Sequence, residues 1–583
     1  MRFSIVKILS LFTLLPVLLC TLLFPLNTFS ALIQVSSQVS SQVSSQVSLQ
    51  VSLGEQIRYL PVQDAGRIKP LDTFAKETLE LIYGKKTYMA KEDAVPIEAH
   101  WVVLTWMLSP ESWVGRPLFE VKHHEILAKL KLHKDKKHFS GDELFKSESF
   151  SSLMQELQNK RETKEKLTPY FQAIQRIENQ FFIFQAMASG QLMKIYPLST
   201  QDTWLAVVEL PAAAQASFLD ISKNIAVHLG LKSDRNSTAA QIKIAAEKLD
   251  QSVLAFETLA KKSDSAKYQL GEKAKTEVFY NDFHPFRWAY LSYLVASLIL
   301  LFIWIRNLNS GMNLAWFFVS LGFLLHIFGF AYRIYLAERP PVSNMYETVV
   351  WASWGAVLFS IILEIIYKYK VMLLGGSLMG LFALIIADSA PAILDPSLQP
   401  LEAVLRSNYW LIVHVMTITI SYAAFLLAFG LGDMGLIYMA LDEKKHDDKI
   451  KKITTGVYRA MQIGVAFLAP GIILGGIWAD YSWGRFWGWD PKETWALIAL
   501  LGYIIVLHAR LVGWLKNFGI LASGVITFNL VIMAWYGVNF VLGAGLHSYG
   551  FGAGGIEYVA VFVGLHFLFV AYSYIIKNTS KSI

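Results

Sequence analysis

From Trp288 onward, apolar runs recur with short polar breaks between them. Each is about 20 residues long, the length a helix needs to cross roughly 30 Å of hydrocarbon. The candidate spans fall near 288–306, 312–336, 346–367, 371–388, 409–440, 456–478, 494–512, 518–540 and 556–576. Inside a bilayer the backbone must satisfy its own polar groups, so repeated open runs of this kind read as helices. A mean hydropathy of +0.40, with 54% hydrophobic and 17% charged residues, does not fit a soluble chain of 583 residues. The fold class expected is an all-α polytopic membrane protein with about nine transmembrane helices.

The segments before Trp288 differ in character. Residues 1–31 open with Arg2 and Lys7 and continue as an apolar run, which reads as a signal peptide or an anchor. Residues 32–53 repeat QVSS and read as a low-complexity linker. Residues 54–286 are mostly polar with helical periodicity near Phe150 to Met187, and are expected to form a mostly helical periplasmic domain; 287–583 form the membrane domain. Lys and Arg set the orientation. Lys368, Lys370, the run Glu443 to Lys452, the stretch Arg510 to Lys516 and the end Lys577 to Lys581 alternate onto one side, expected to be cytoplasmic. The ERPPVSN turn, the loop 478–495 and the GLHSYG loop at Gly545 then share the periplasmic side of a bacterial inner membrane. The net charge of +7 follows from this bias and calls for no nucleic acid.

The loop 478–495 reads WADYSWGRFWGWDPKETW and holds Trp478, Trp483, Trp487, Trp489 and Trp495, out of 17 tryptophans in the chain. Such a cluster suits the membrane boundary or a flat aromatic ligand. Asp490, Pro491 and Glu493 stand as N-cap, N1 and N3 of a following helix. This string resembles the tryptophan-rich WWD signature of the haem-handling membrane proteins of cytochrome c biogenesis, and most closely the CcsA (ResC) family of the system II pathway. The resemblance runs from about Trp288 to Lys577. A second stretch, LPVQDAGRIKPLDTFA from Leu60 to Ala75, is similar to a segment ahead of the CcsA part in fused CcsB-CcsA proteins.

The single cysteine, Cys20, excludes thiol-disulfide catalysis and a cysteine-type zinc site. Histidine can ligate iron. His414 opens HVMTITISY at the periplasmic end of its span, and His547 lies in GLHSYG, so by the expected topology both flank the tryptophan loop. They are the candidate axial ligands of haem iron, against a reading as interfacial residues bonded to backbone. His508, in LGYIIVLHAR, lies inside a span, where histidine is costly; it is a candidate transient ligand or a snorkelling residue beside Arg510. His326 is also intramembrane and is a further possible contact. Trp483, Trp487, Trp489, Trp495, Asp490 and Arg485 complete the candidate haem surface, with Arg485 and Lys492 near where propionates would lie. PPVSNMYETVVWASW, from Pro340 to Trp354, is similar to a stretch between early spans of the family, with no role readable from its residues.

The resemblance implies haem b as bound substrate, received from the cytoplasmic side with the help of His508 and held by His414 and His547. It implies a CcsB (ResB) partner, apocytochrome c with its CxxCH motif, thiol-reducing proteins and membrane lipid as partners. It also implies a holocytochrome c synthase (haem lyase) subunit with no side-chain acid or base in the chemistry. Two alternatives stand beside it: a haem exporter or chaperone without ligase activity, and a non-haem secondary transporter.

Overall fold

A computed structural model describes residues 54–579 apart from 90–95, 146–147, 163–166, 235, 269–270, 309, 391–392, 401–407 and 543–554. The segments 1–31 and 32–53 and the histidine His547 lie outside the described residues. The chain divides into two compact units that meet in sequence at Phe283 and His284.

In the first unit the LPVQDAGRIKPLDTFA stretch folds as a hairpin and a helix. Strands β1 (Pro61–Asp64) and β2 (Arg67–Pro70) pair antiparallel with Asp64 opposite Arg67. The two turn residues Ala65 and Gly66 both have positive φ, at 49° and 78°, the turn whose twist matches paired strands. Helix α1 (Leu71–Tyr83) follows and ends on Gly84 in the left-handed conformation. Further helices are α2 (Ala99–Leu108), α3 (Glu148–Glu162), α4 (Pro169–Ala188), α5 (Ala212–Ser233), α6 (Ala239–Ser263) and α7 (Gly271–Phe283). Strands β3 (Lys194–Leu198) and β4 (Gln201–Ala206) extend the hairpin to a sheet of order β2-β1-β3-β4. The core is rich in large aromatics, with Trp106, Trp204, Phe74, Phe256 and Tyr268 buried.

The charges of the hairpin stretch are paired rather than solvated. Arg67 grips Glu277 of α7 through two bonds of 2.8 and 2.9 Å. Lys69, 2% exposed, bonds Asp64 and Glu77, and Arg58 joins Asp72 to Asp282. His100 is buried beside this set, with Nδ1 3.5 Å from Glu98. Burial, helped by the nearby positive charges of Arg58 and Lys76, lowers its pKa to about 3.

The second unit is a helical membrane body. Among the described residues nine helices are long and apolar enough to cross a membrane. They are α8 (Pro285–Arg306), α9 (Met312–Ala337), α10 (Met345–Tyr367), α11 (Val371–Ser389), α12 (Asn408–Asp442), α13 (Asp447–Trp483), α14 (Pro491–Leu511), the eighth span made of α15 (Asn517–Ile526) and α16 (Phe528–Ile532), and α17 (Ile556–Thr579). The protein is thus an all-α polytopic membrane protein.

Two spans depart from the sequence reading. Helix α13 starts at Asp447, not near 456, and absorbs most of the basic run Glu443 to Lys452. Asp447 and Asp448 sit in its first turn and pair with Lys451 and Lys452 one turn on, which suits the positive end of the helix dipole. The eighth span is irregular: after α16 the winding widens to a π-helix over Met533–Leu542, a form frequent near functional sites.

The PPVSN turn acquires a structural role. Glu347, at N3 of α10 and 1% exposed, accepts from Arg333 of α9 at 2.8 Å and from Arg339 at 2.7 Å. Its backbone N–H is capped by Asn344. The two guanidinium groups also donate to the carbonyls of Pro396 and Gln399, so one buried network ties the turn to the 393–400 segment. His326 belongs to this closed half. It is fully buried, with Nε2 donating to the Val350 carbonyl at 3.0 Å and Nδ1 3.3 Å from the Tyr293 hydroxyl. Both nitrogens are engaged within the bundle.

Candidate functional site

Helices α12 and α13 run side by side, and their loop-distal ends bring His414 against the tryptophan-rich segment. Two glycines on α13 make the approach possible. A Cβ on Gly475 would stand 2.5 Å from His414 Cε1, and one on Gly471 would meet the Ile418 backbone at 3.2 Å. His414 Nδ1 lies 2.8 Å from the Gly471 carbonyl. A carbonyl only accepts, so Nδ1 carries the hydrogen and the neutral ring has its lone pair on Nε2, the tautomer suited to metal ligation. The imidazole is half-buried and lies parallel to the buried indole of Trp478, with centroids 6.2 Å apart and planes 11° apart.

From Trp478 the aromatic surface continues through Trp483, edge to face at 4.7 Å, and Arg485, whose guanidinium lies 5.6 Å from the Trp483 ring. Trp487 and Trp489 meet edge to face at 5.8 Å. Trp489 is 70% exposed and holds φ 56°, a left-handed conformation that a bulky side chain adopts at a cost. Trp495 is half-buried in the second turn of α14.

Glu493 organises the loop. The cap set by Asp490, Pro491 and Glu493 is present: the Asp490 carboxylate accepts from the Lys492 N–H at 2.9 Å, and Glu493 Oε2 accepts from the N–H groups of Asp490 and Gly488. The other Glu493 oxygen pairs with Arg485 at 3.1 Å. The Arg485 charge is therefore already shared with an internal carboxylate.

The structure brings His414, Trp483, Arg485 and Asp490 into one neighbourhood. It does not bring His508 there. That residue lies 18 positions after the Asp490 cap, roughly 27 Å along α14 at 1.5 Å per residue. Its side chain is exposed and Nδ1 bonds the Ile504 carbonyl one turn back at 2.8 Å. Three contributors escaped the sequence reading: Glu493 as the hub of the loop, Gly471 as the orienter of His414, and Gly475 as the notch that admits its ring. The i, i+4 spacing of the two glycines on a span facing His414 was the available signal.

The fold and this end define a class by architecture: a polytopic membrane bundle with a half-buried imidazole at one end, set beside a cluster of indoles. Comparison with known proteins narrows the class. The family model "Cytochrome C assembly protein" matches residues 342–547, which include Glu347, His414 and the whole tryptophan segment. The chain is 34% identical to the cytochrome c biogenesis protein CcsA of Guillardia theta over 237 residues, 36% of this chain and 76% of that one. It is 31% identical to CcsA of Parasynechococcus marenigrum over 276 residues, 42% of this chain and 90% of that one. The chain belongs to the CcsA family of cytochrome c biogenesis proteins. It is also 28% identical to protein NrfI of Wolinella succinogenes over 519 residues, 84% of this chain, so that likeness reaches into the first unit. The chain spans 53% of the length of NrfI and 61% of CcsA from Chlamydomonas reinhardtii.

Proposed function

We propose that this protein binds haem b at the His414 and tryptophan-loop surface and, with a CcsB-like membrane partner, attaches it to the CxxCH motif of apocytochrome c. The observation that carries the reading is the His414 tautomer beside Trp478 and Trp483: a ring oriented through Nδ1, with Nε2 as the ligating nitrogen, over a flat apolar face. His547 is the second axial ligand in this reading. Trp483, Trp487, Trp489 and Trp495 form the haem surface, and Asp490 and Arg485 stand at its polar edge. His508, near the opposite end of α14, receives haem from the cytoplasmic side. The Lys and Arg distribution supports placing the tryptophan loop and residues 54–286 in the periplasm of a bacterial cell.

The chemistry asks this chain for position rather than proton transfer. Each cysteine thiol of the apocytochrome adds across a haem vinyl group: a C–S bond forms, the thiol hydrogen goes to the other vinyl carbon, and no oxidant or reductant is consumed. The chain holds haem with its vinyl edges open to the peptide, and the peptide's own histidine replaces one protein ligand as the thiols arrive. Thiol-reducing proteins keep the peptide's cysteines available.

The test is the reduced absorption spectrum of the protein purified with its partner, beside His414→Ala and His547→Ala. The expected result is a bis-histidine haem spectrum that collapses in each variant and returns in part with added imidazole. Haem-free protein, or variants with an unchanged spectrum, would refute the assignment.

A further inference from the structure

Two ionisable side chains meet inside the membrane unit, away from the tryptophan surface. Asp433 lies on α12, 19 residues beyond His414 and so roughly 28 Å along the helix. His566 lies near the middle of α17. His566 Nε2 stands 3.4 Å from Asp433 Oδ2, and the two side chains are 21% and 22% exposed. His566 Nδ1 lies 2.7 Å from the Phe562 carbonyl. The rings of Phe429 and Phe562 close on the imidazole with centroids 4.9 and 4.2 Å away. The second carboxylate oxygen, Asp433 Oδ1, is buried with no hydrogen-bond partner among the described residues.

The hydrogen-bond chemistry fixes how many protons this pair holds. The Phe562 carbonyl only accepts, so Nδ1 bears a hydrogen. A neutral ring then turns the Nε2 lone pair toward a carboxylate oxygen, which is also an acceptor, and the contact is repulsive. It becomes attractive with one further proton, on Nε2 as an imidazolium or on Oδ2 as a carboxylic acid. Either arrangement has no net charge, whereas the pair without that proton carries a full negative charge in an apolar setting, which is costly.

Among the described residues no other ionisable side chain pairs with Asp433 or His566. Helix α17 packs on α12 and α15. On these elements Tyr438 packs against His446, while Tyr574 and Lys577 pack on Phe518. Asp442 and Glu557 stand at helix ends, and Lys516 precedes α15. The ring partners of His566 among the described residues are Asp433, the Phe562 carbonyl and the two phenyl rings.

We propose that Asp433 and His566 form a proton-binding site within the membrane, and that the single proton it holds joins α17 to α12. Helix α17 is the most exposed span, with 11% of its apolar window buried, so one polar tie is a large share of what fixes it.

The test is nitrogen NMR of the full-length protein in lipid bilayers with labelled histidine, the His566 signals being assigned by their loss in His566→Gln or His566→Asn. The expected spectrum at neutral pH has Nδ1 protonated and Nε2 protonated or sharing a proton. In Asp433→Asn, whose amide donates to Nε2, the ring reverts to the neutral Nδ1–H form. A neutral ring with hydrogen on Nε2 alone, or an unprotonated Nε2 that ignores Asp433→Asn, would overturn the proposal. Hydrogen exchange tests the tie itself: Asp433→Ala is expected to speed exchange over 556–579 about tenfold, and no change there would overturn the joining role. None of these variants touches His414, so the haem spectrum reads the proposed function separately.

Discussion

The half of the membrane unit formed by α8 to α11 and the end formed by α12, α13 and the tryptophan loop use the same residue types to opposite ends. In the first, His326 has both ring nitrogens engaged, Glu347 binds two arginines, and Trp351 and Trp354 are buried against each other at 4.8 Å. In the second, His414 is half-buried with its Nδ1 on the Gly471 carbonyl, and Trp489 is largely bare. A histidine or tryptophan in a span therefore says little by itself. The two regions differ in how far their histidines and indoles are covered, from His326 and Trp351 fully packed in the bundle to Trp489 at the surface.

The closed half offers the largest effect. Glu347→Ala leaves Arg333 and Arg339 buried without their carboxylate, and removing one partner of a buried ion pair costs about 3–5 kcal/mol. Thermal unfolding of the purified protein should show it. A loss within error would mean that water reaches these arginines and that the two halves differ less than their geometry indicates.

A second buried histidine, in the first unit, extends the contrast to pH. Burial holds His100 at about 3 when folded, against 6.5 in an exposed chain, so the unfolded state takes up its proton first as pH falls. Its contribution is complete above the exposed value and is lost as pH drops toward 3, by on the order of 4 kcal/mol. The melting temperature of the first unit should fall between pH 7 and pH 5, and His100→Phe should flatten that slope. A slope identical in the variant would show that His100 is not the group responsible.

The open end gives the smallest change in stability and the sharpest test of function. Gly475→Ala places a methyl 2.5 Å from His414 Cε1 and must push the ring aside, an overpacking cost of about 1 kcal/mol. Haem content should fall while the melting temperature barely moves. If haem content is unchanged, the notch at Gly475 does not set the ligand.

The membrane unit was largely legible because hydropathy and length act on every residue of a span, and the observed helix limits lie mostly within a few residues of the expected ones. The extended start of α13 was hidden because charge reads as loop until the i, i+4 pairs of Asp447 and Asp448 are considered. The pairing of Arg67 of the β1–β2 hairpin with Glu277, 210 positions away, was hidden because sequence distance carries no trace of it. At the candidate site the Asp490 cap was legible from local spacing alone. The orientation of His414 was not, since it depends on the Gly471 carbonyl of a neighbouring helix. Asp433 and His566 escaped because a hydropathy window averages single ionisable residues away.

Trp489 carries a last implication. At φ 56° glycine would sit without strain, and an indole there is held in place by Glu493, which accepts from the N–H groups of Gly488 and Asp490 on either side. Sequence change that favoured robustness alone would drift toward a smaller residue and erase the aromatic face. On the proposed function the loop is a place where toughness and usefulness pull apart, and a thermostabilised version of this protein should be checked there before anywhere else.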